Sequence, residues 1–205
     1  TTTTYMIKSI LENAGRKVGL IGTIEAIIGE KHIPAVNTTP ESYIVQDYLS
    51  QMVEAGCDAA VMEVSSQALM LHRVGGMTFE IGIFTNISPD HIGPNEHKDF
   101  DEYLHCKSLL FRQCRHGIFN ADDEHLEGIL EGCTCTVNTY GIEKPADFEA
   151  KDIELVHKPG YLGVNYKVTG KENFDVTIDV PGRFSVYNSL CAIAVGHFFG
   201  VSVEA

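Results

Sequence analysis

No stretch of this chain approaches the ~20 consecutive apolar residues that a membrane-spanning helix needs. The opening residues, Thr1-Thr2-Thr3-Thr4-Tyr5-Met6, lack the basic start and apolar run of a secretory signal. These two absences point to a cytoplasmic protein with no membrane insertion. No Lys/Arg cluster relieves a net charge of −13, which argues against a nucleic-acid partner, because that partner requires a basic face. Low-complexity tracts and internal repeats are lacking as well. The six cysteines, at 57, 106, 114, 133, 135 and 191, include no C-x-x-C pair, and Cys133-Thr134-Cys135 is too tight for a zinc knuckle. They are expected to be reduced and mostly buried. An acidic protein can still bind anionic small molecules, provided that metal ions, helix N-termini or a few fixed cations offset the repulsion.

What is present suffices for one well-buried domain with a small appendage: 205 residues, 44% of them hydrophobic. Apolar periodicity predicts a helix over 2–14 and a strand over 17–23. Asn37-Thr38-Thr39-Pro40-Glu41 reads as a helix start, with Thr39 as N-cap and Pro40 at the first helical position. That helix runs to about residue 55, turning Ile44, Val45, Tyr48, Leu49 and Met52 inward, and Gly56 closes it. A strand ending at Glu63, a short helix near 68–71, a strand over 80–87 and a helix over 100–114 follow. Further strands are expected at 117–120 and 134–140. The alternation implies an α/β fold with a mainly parallel sheet of the phosphate-loop type flanked by helices. After residue 150 the pattern changes to a hairpin, 150–157 and 162–169 about Lys158-Pro159-Gly160-Tyr161, then a strand over 174–180, which make a small antiparallel appendage. A final helix spans 185–199.

Three places carry chemistry. Glu63 ends the apolar run Ala59-Ala60-Val61-Met62, and Asn86 follows Ile81-Gly82-Ile83-Phe84-Thr85. Polar groups just past the carboxyl ends of buried parallel strands are where α/β sheets bind ligands. Glu63 and His91, joined by a threonine hydroxyl, suit one or two Mg2+ ions at an ATP phosphate chain. Taken singly, Glu63 is equally well a solvated loop carboxylate and His91 a turn cap. Thr1 fits the last position of a Gly-Lys-Ser/Thr phosphate loop at a helix N-terminus, although simple capping also explains a threonine run. Lys107 shares one helical face with Phe100, Leu104 and Phe111. Burial there lowers an amine's pKa and lets it capture CO2 as a carbamate, which is a metal ligand. A snorkelling lysine, or one paired with phosphate, is the alternative.

The threonine run, Asn37-Thr38-Thr39-Pro40-Glu41-Ser42, Met62-Glu63-Val64-Ser65-Ser66, His72-Arg73-Val74, Phe84-Thr85-Asn86 through Asp90-His91, Tyr103 with Lys107, Asn120-Ala121-Asp122-Asp123 and Gly182-Arg183-Phe184-Ser185-Val186-Tyr187-Asn188 together resemble the central ATPase domain of the Mur ligase family, in its tripeptide-synthetase branch. The resemblance covers essentially the whole chain. It implies an ATP-dependent amide ligase of peptidoglycan precursor synthesis acting through an acyl phosphate. Its substrates would be UDP-N-acetylmuramoyl-dipeptide and an amino acid. It further implies that Thr1, Glu63, His91 and a carbamylated Lys107 bind two Mg2+ ions. Asn37, Thr38, Thr39, Ser65 and Arg73 would hold the UDP-muramoyl-dipeptide, while Asn86 and Asn188 would hold the nucleotide.

The chain departs from the family's Asp-His-Leu-Asp-x-His-Gly run, having Asp90-His91-Ile92-Gly93-Pro94-Asn95-Glu96-His97. His97 either replaces the family's second histidine or is solvated, and the solvated state is the expectation. Ser185 stands where asparagine is common. The loop's Gly-Lys, the strand before it, and the family's UDP-binding and amino-acid-binding domains fall outside the 205 residues. A central-domain piece, inactive by itself, is therefore expected. Folylpolyglutamate or cyanophycin synthetases, and a non-catalytic nucleotide-binding module of the same fold, remain alternatives at this point.

Overall fold

The computed structural model describes residues 1–90, 92–94 and 96–203. The elements, in order, are α1 (Thr2–Asn13), β1 (Val18–Ile21), β2 (Glu25–Ile28), β3 (Lys31–Pro34), α2 (Ser42–Glu54), β4 (Ala59–Met62), α3 (Ser66–Met70) and β5 (Phe79–Phe84). Then come α4 (Phe100–Ser108) with a 3-10 turn over Leu109–Arg112, β6 (Cys114–Asn120), α5 (Leu126–Leu130), β7 (Thr136–Gly141), β8 (Phe148–Lys158), β9 (Tyr161–Gly170), β10 (Phe174–Ile178) and α6 (Arg183–Phe198).

The expected α/β fold is present. β5, β6 and β7 run parallel, and β8 joins β7 in parallel at Tyr140↔Phe148 before pairing antiparallel with β9. The antiparallel strands expected near 150–180 thus extend the edge of the same six-stranded sheet. A second sheet has the order β3-β2-β1-β4, with β1 and β4 parallel from Val18↔Ala59 to Ile21↔Met62. Its hairpin β2–β3 was not expected from periodicity. Gly29, at φ 60, makes the two-residue turn that closes it.

Both faces of the parallel strands are covered, as the near-continuous apolar runs require. Adjacent residues on a strand point to opposite faces. Ile118 accordingly packs with Leu190, Val195, Ile7 and Leu11 of α6 and α1, while Phe119 packs with Phe111, Tyr103 and Ile129 on the other side. α6 is apolar nearly all round because α1 covers one side and the sheet the other.

α2 begins at Ser42, with Glu41 as its cap residue, later than the threonine run suggests. Proline disfavours helical geometry in the residue before it, and the Thr39 hydroxyl is committed elsewhere. On α2, Val45 and Met52 are buried, whereas Ile44 is exposed. A Cβ at Gly19 would lie 2.3 Å from the Met52 sulfur, so the glycine lets α2 settle directly on β1.

Among the described residues no pairing joins β4 to β5. Between these strands lies a slot of about 680 Å3, lined by residues 59–65 on one wall and 79–86 on the other, with Thr1 to Thr4 at its carboxyl end.

Candidate functional site

The carboxyl ends of β1 and β4 and the start of α1 converge on one carboxylate. Glu63 leaves β4 with its amide donating to the Ile21 carbonyl, which turns its side chain toward Gly22-Thr23. A Cβ at Gly22 would sit 2.5 Å from Glu63 Oε1, so glycine is needed there for the carboxylate to lie against the backbone. The Thr23 hydroxyl donates to Oε2 at 2.8 Å and the Thr23 amide to Oε1 at 3.2 Å. The Thr1 hydroxyl reaches Oε2 at 3.2 Å. Burial pulls this carboxyl's pKa up. Hydrogen bonds from the Thr23 hydroxyl and amide and from the Thr1 hydroxyl act against that, and the carboxyl is held below the ordinary glutamate value.

Thr38 approaches from the β3–α2 loop, its hydroxyl 3.2 Å from that of Thr23. The Thr23 proton is engaged with Glu63, so Thr38 donates. Thr39 is not a helix cap. It is buried, its hydroxyl donating to the Glu63 carbonyl and accepting the Ser65 amide, both at 2.9 Å. Its carbonyl accepts Arg73 Nη1 at 3.1 Å, and Arg73 also pairs with Glu41. Ser65 caps α3 by accepting the Ala68 amide. Asn37 is exposed and is not among the residues that line the slot.

Lys107 faces the same slot from α4. Its Nζ lies 5.1 Å from the centre of the Tyr103 ring. Burial pushes its pKa down, and the Asp123 charge pulls it partly back. The side chain is half-buried, because α4 gives its most enclosed positions to Tyr103, Cys106 and Ser108.

The loop after β5 is pinned from β6. Asn120 Nδ2 donates to the Thr85 carbonyl at 2.8 Å, and Asp123 accepts the Ile87 amide at 3.0 Å. Asn86 is exposed at the slot's edge, and Asn188 on α6 accepts the Thr3 hydroxyl at 3.0 Å. Both also line a neighbouring cavity of about 160 Å3 with Asp122, Phe184 and Tyr187. Asp122 accepts the Tyr187 hydroxyl at 2.7 Å and the amides of Ile142, Glu143 and Lys144. Burial raises its pKa, but those donors together bring it below the ordinary aspartate value.

Thr1, Thr38, Glu63, Ser65, Asn86, Lys107 and Asn188, all named from sequence, thus line one cavity, with Thr39 directly behind it. His91 lies outside the described residues. His97 is not solvated, as was expected. It is fully buried, sharing a 2.8 Å hydrogen bond through Nε2 with Ser66 of α3. The Gly93 amide donates to the His97 carbonyl. Thr23 and Asp123 were missed as site residues. Their only sequence signals are a Gly-Thr and an Asp-Asp just past the carboxyl ends of β1 and β6.

Among the described residues no cluster of three or more His, Cys, Asp or Glu forms a metal cage. The oxygen donors present, an ionised carboxylate and a hydroxyl, are of the hard type that suits Mg2+, which commonly takes one or two carboxylates alongside phosphate oxygens.

The family model "Mur ligase middle domain" matches residues 1–196. The UDP-N-acetylmuramoyl-L-alanyl-D-glutamate--2,6-diaminopimelate ligase of Caldanaerobacter subterraneus is 42% identical over the whole chain, which covers 42% of that protein. A ligase of the same name from Clostridium acetobutylicum is 41% identical, again over the whole chain and 41% of its own length. The chain therefore spans about two-fifths of the curated relatives it matches. A solved structure of a ligase of this name superposes with a TM-score of 0.86 at 22% identity, over 98% of this chain and 42% of that one.

Proposed function

The chain belongs to the Mur ligase family, as its middle domain, and from that premise we propose that it is the nucleotide- and magnesium-binding part of an ATP-dependent ligase. The ligase adds the third amino acid to UDP-N-acetylmuramoyl-L-Ala-D-Glu in peptidoglycan precursor synthesis. The amine is 2,6-diaminopimelate, the substrate in the name that both curated relatives carry. The observation that carries this reading is Glu63, kept ionised at the carboxyl end of β4 and facing one cavity with Thr1, Lys107 and Asn188.

Thr1, Glu63 and His91 would hold magnesium, with a modified Lys107 as a further ligand for a second ion. Bound there, magnesium would neutralise charge while a carboxylate approaches a polyphosphate, an encounter of two anions. Lys107, less basic than an ordinary lysine, supplies the free amine. The ammonium first gives one proton to solvent; addition of the resulting amine to CO2 then forms one N–C bond and releases a second proton, so that a cation has become a carboxylate-like ligand. Asn86 and Asn188 hold the nucleotide. Asn37, Thr38, Ser65 and Arg73 hold the muramoyl-dipeptide. Thr39 serves that site by fixing Ser65, since its own hydroxyl is already used twice. The dipeptide's terminal carboxylate attacks the γ-phosphate and ADP leaves. The amine then attacks the acyl phosphate, forming the amide and releasing phosphate.

The strand-wide slot between β4 and β5 supports a layout in which a further parallel strand runs between them up to Thr1. UDP-binding and amino-acid-binding domains would flank this one in sequence, and the 205 residues alone would form no tripeptide. The test uses the complete protein with Mg2+, ATP, UDP-muramoyl-dipeptide and diaminopimelate. Phosphate release coupled to tripeptide formation is expected, lost in Glu63→Gln and Lys107→Ala. Turnover of a folate substrate instead, or no phosphate release with any acceptor, would overturn the reading.

A further inference from the structure

Three sulfurs gather at the amino ends of β5, β6 and β7, the end of the sheet opposite the cavity described above. Cys114 opens β6, and Cys133 and Cys135 immediately precede β7. The sulfurs of Cys133 and Cys135 are 3.2 Å apart, and the Cys114 thiol lies beside that of Cys135. The sheet makes room for them. A Cβ at Gly117 would lie 2.8 Å from the Cys135 sulfur, and one at Gly82 would lie 2.7 Å from that of Cys114. Cys114 is buried, whereas Cys133 and Cys135 are both partly open to solvent. The turn that carries them is held in place, since the Cys133 amide donates to the Leu130 carbonyl and the Thr134 amide to the Phe111 carbonyl.

We propose that Cys133 and Cys135 form a dithiol modification site, which closes to an intramolecular disulfide by exchange with a small disulfide such as oxidised glutathione. A bond requires the two sulfurs to approach by roughly 1 Å from their 3.2 Å separation, within the reach of side-chain rotation. The Cys133 thiolate attacks one sulfur of the small disulfide. That S–S bond breaks, and half of the reagent leaves as a thiolate that takes up a proton. Cys135 then gives its proton to solvent and attacks the Cys133 sulfur, expelling the second half. Two protein thiols are oxidised by two electrons in total, and one small disulfide is reduced to two thiols. Burial and the adjacent sulfurs push the Cys135 thiol well above its ordinary pKa, so it is the resolving partner, and closure accelerates as pH rises. Cys114, sealed behind the pair, is out of reach of a tripeptide disulfide.

The complete protein, folded and reduced, is incubated with oxidised glutathione, blocked with N-ethylmaleimide, digested and weighed. The peptide carrying both cysteines should lose two hydrogens and take no maleimide. Cys114→Ser should leave this closure intact. Cys135→Ser should trap glutathione on Cys133. Maleimide on both cysteines of the unmodified chain, a persistent glutathione adduct on Cys133, or a bond from Cys114 to Cys135 in place of closure would each overturn the proposal. The reading on the unmodified chain requires no variant to fold.

Discussion

Thr23 and Glu63, 40 residues apart, are bound through both oxygens of the carboxylate: the hydroxyl to Oε2 at 2.8 Å and the amide to Oε1 at 3.2 Å. The contact joins β1 to β4 where both strands end, and it fixes an anion at the mouth of the cavity.

Acid should destabilise the chain through Glu63 and Asp122. Both folded pKa values lie below the ordinary ones. Their stabilisation is therefore complete above the unfolded values, near about 4, and is lost as pH falls through the lower folded values. Urea midpoints measured from pH 7 to 3 should show this loss, and Glu63→Gln should flatten the acid limb. An unchanged limb would mean that the carboxylate gains nothing from its partners.

Lys107 is expected to cost stability at neutral pH, because its folded pKa is lowered. The unfolded chain then binds the proton more readily, so this cost shrinks as pH rises through the folded pKa toward the ordinary lysine value. Lys107→Met should be at least as stable as the parent at pH 7 by urea titration, with the difference narrowing at alkaline pH, while ligation by the complete protein is abolished. Carbon-13 bicarbonate should give a carbamate resonance with the parent protein that the variant lacks.

Thr39→Val keeps the shape of the side chain but leaves the Ser65 amide and the Glu63 carbonyl without their partner. An unsatisfied buried group costs about 1–3 kcal/mol. Thr39→Ser, which retains the hydroxyl, should recover most of that in urea unfolding. In the complete protein the valine variant should raise KM for the muramoyl-dipeptide more than it changes KM for ATP.

His97→Ala removes a fully buried ring packed against Tyr103 and hydrogen-bonded to Ser66. Loss of about 2–4 kcal/mol is expected from the cavity and the orphaned hydroxyl. Because the contact ties the α4 approach to α3, denaturation should be accompanied by faster amide exchange in 66–70. A change within about 0.5 kcal/mol, the range of ordinary surface sites, would contradict the burial.

Much of the framework was legible from the amino-acid order. The apolar runs ending at Glu63 and Asn86, the stripe carrying Lys107 and the turn at Pro159-Gly160 each depend on neighbours within a few residues. The β2–β3 hairpin escaped because its four-residue strands alternate poorly, and only Gly29 marks the turn. Thr39 was misassigned because capping is what a threonine before proline does in isolation. In the folded chain a loop 24 residues away claims its hydroxyl first.

By itself the sequence determined most of the elements, though not the β2–β3 hairpin or α5, that the sheet is mainly parallel, and which polar residues stand at strand ends, since local periodicity and turn chemistry set all three. Only the tertiary structure decided that Thr23 binds Glu63, that His97 turns inward to Ser66, and that Cys133 meets Cys135 beside Gly117. Such contacts arise when packing brings separate segments within about 3 Å of each other, the reach of a hydrogen bond, and no pattern of neighbouring residues encodes that distance.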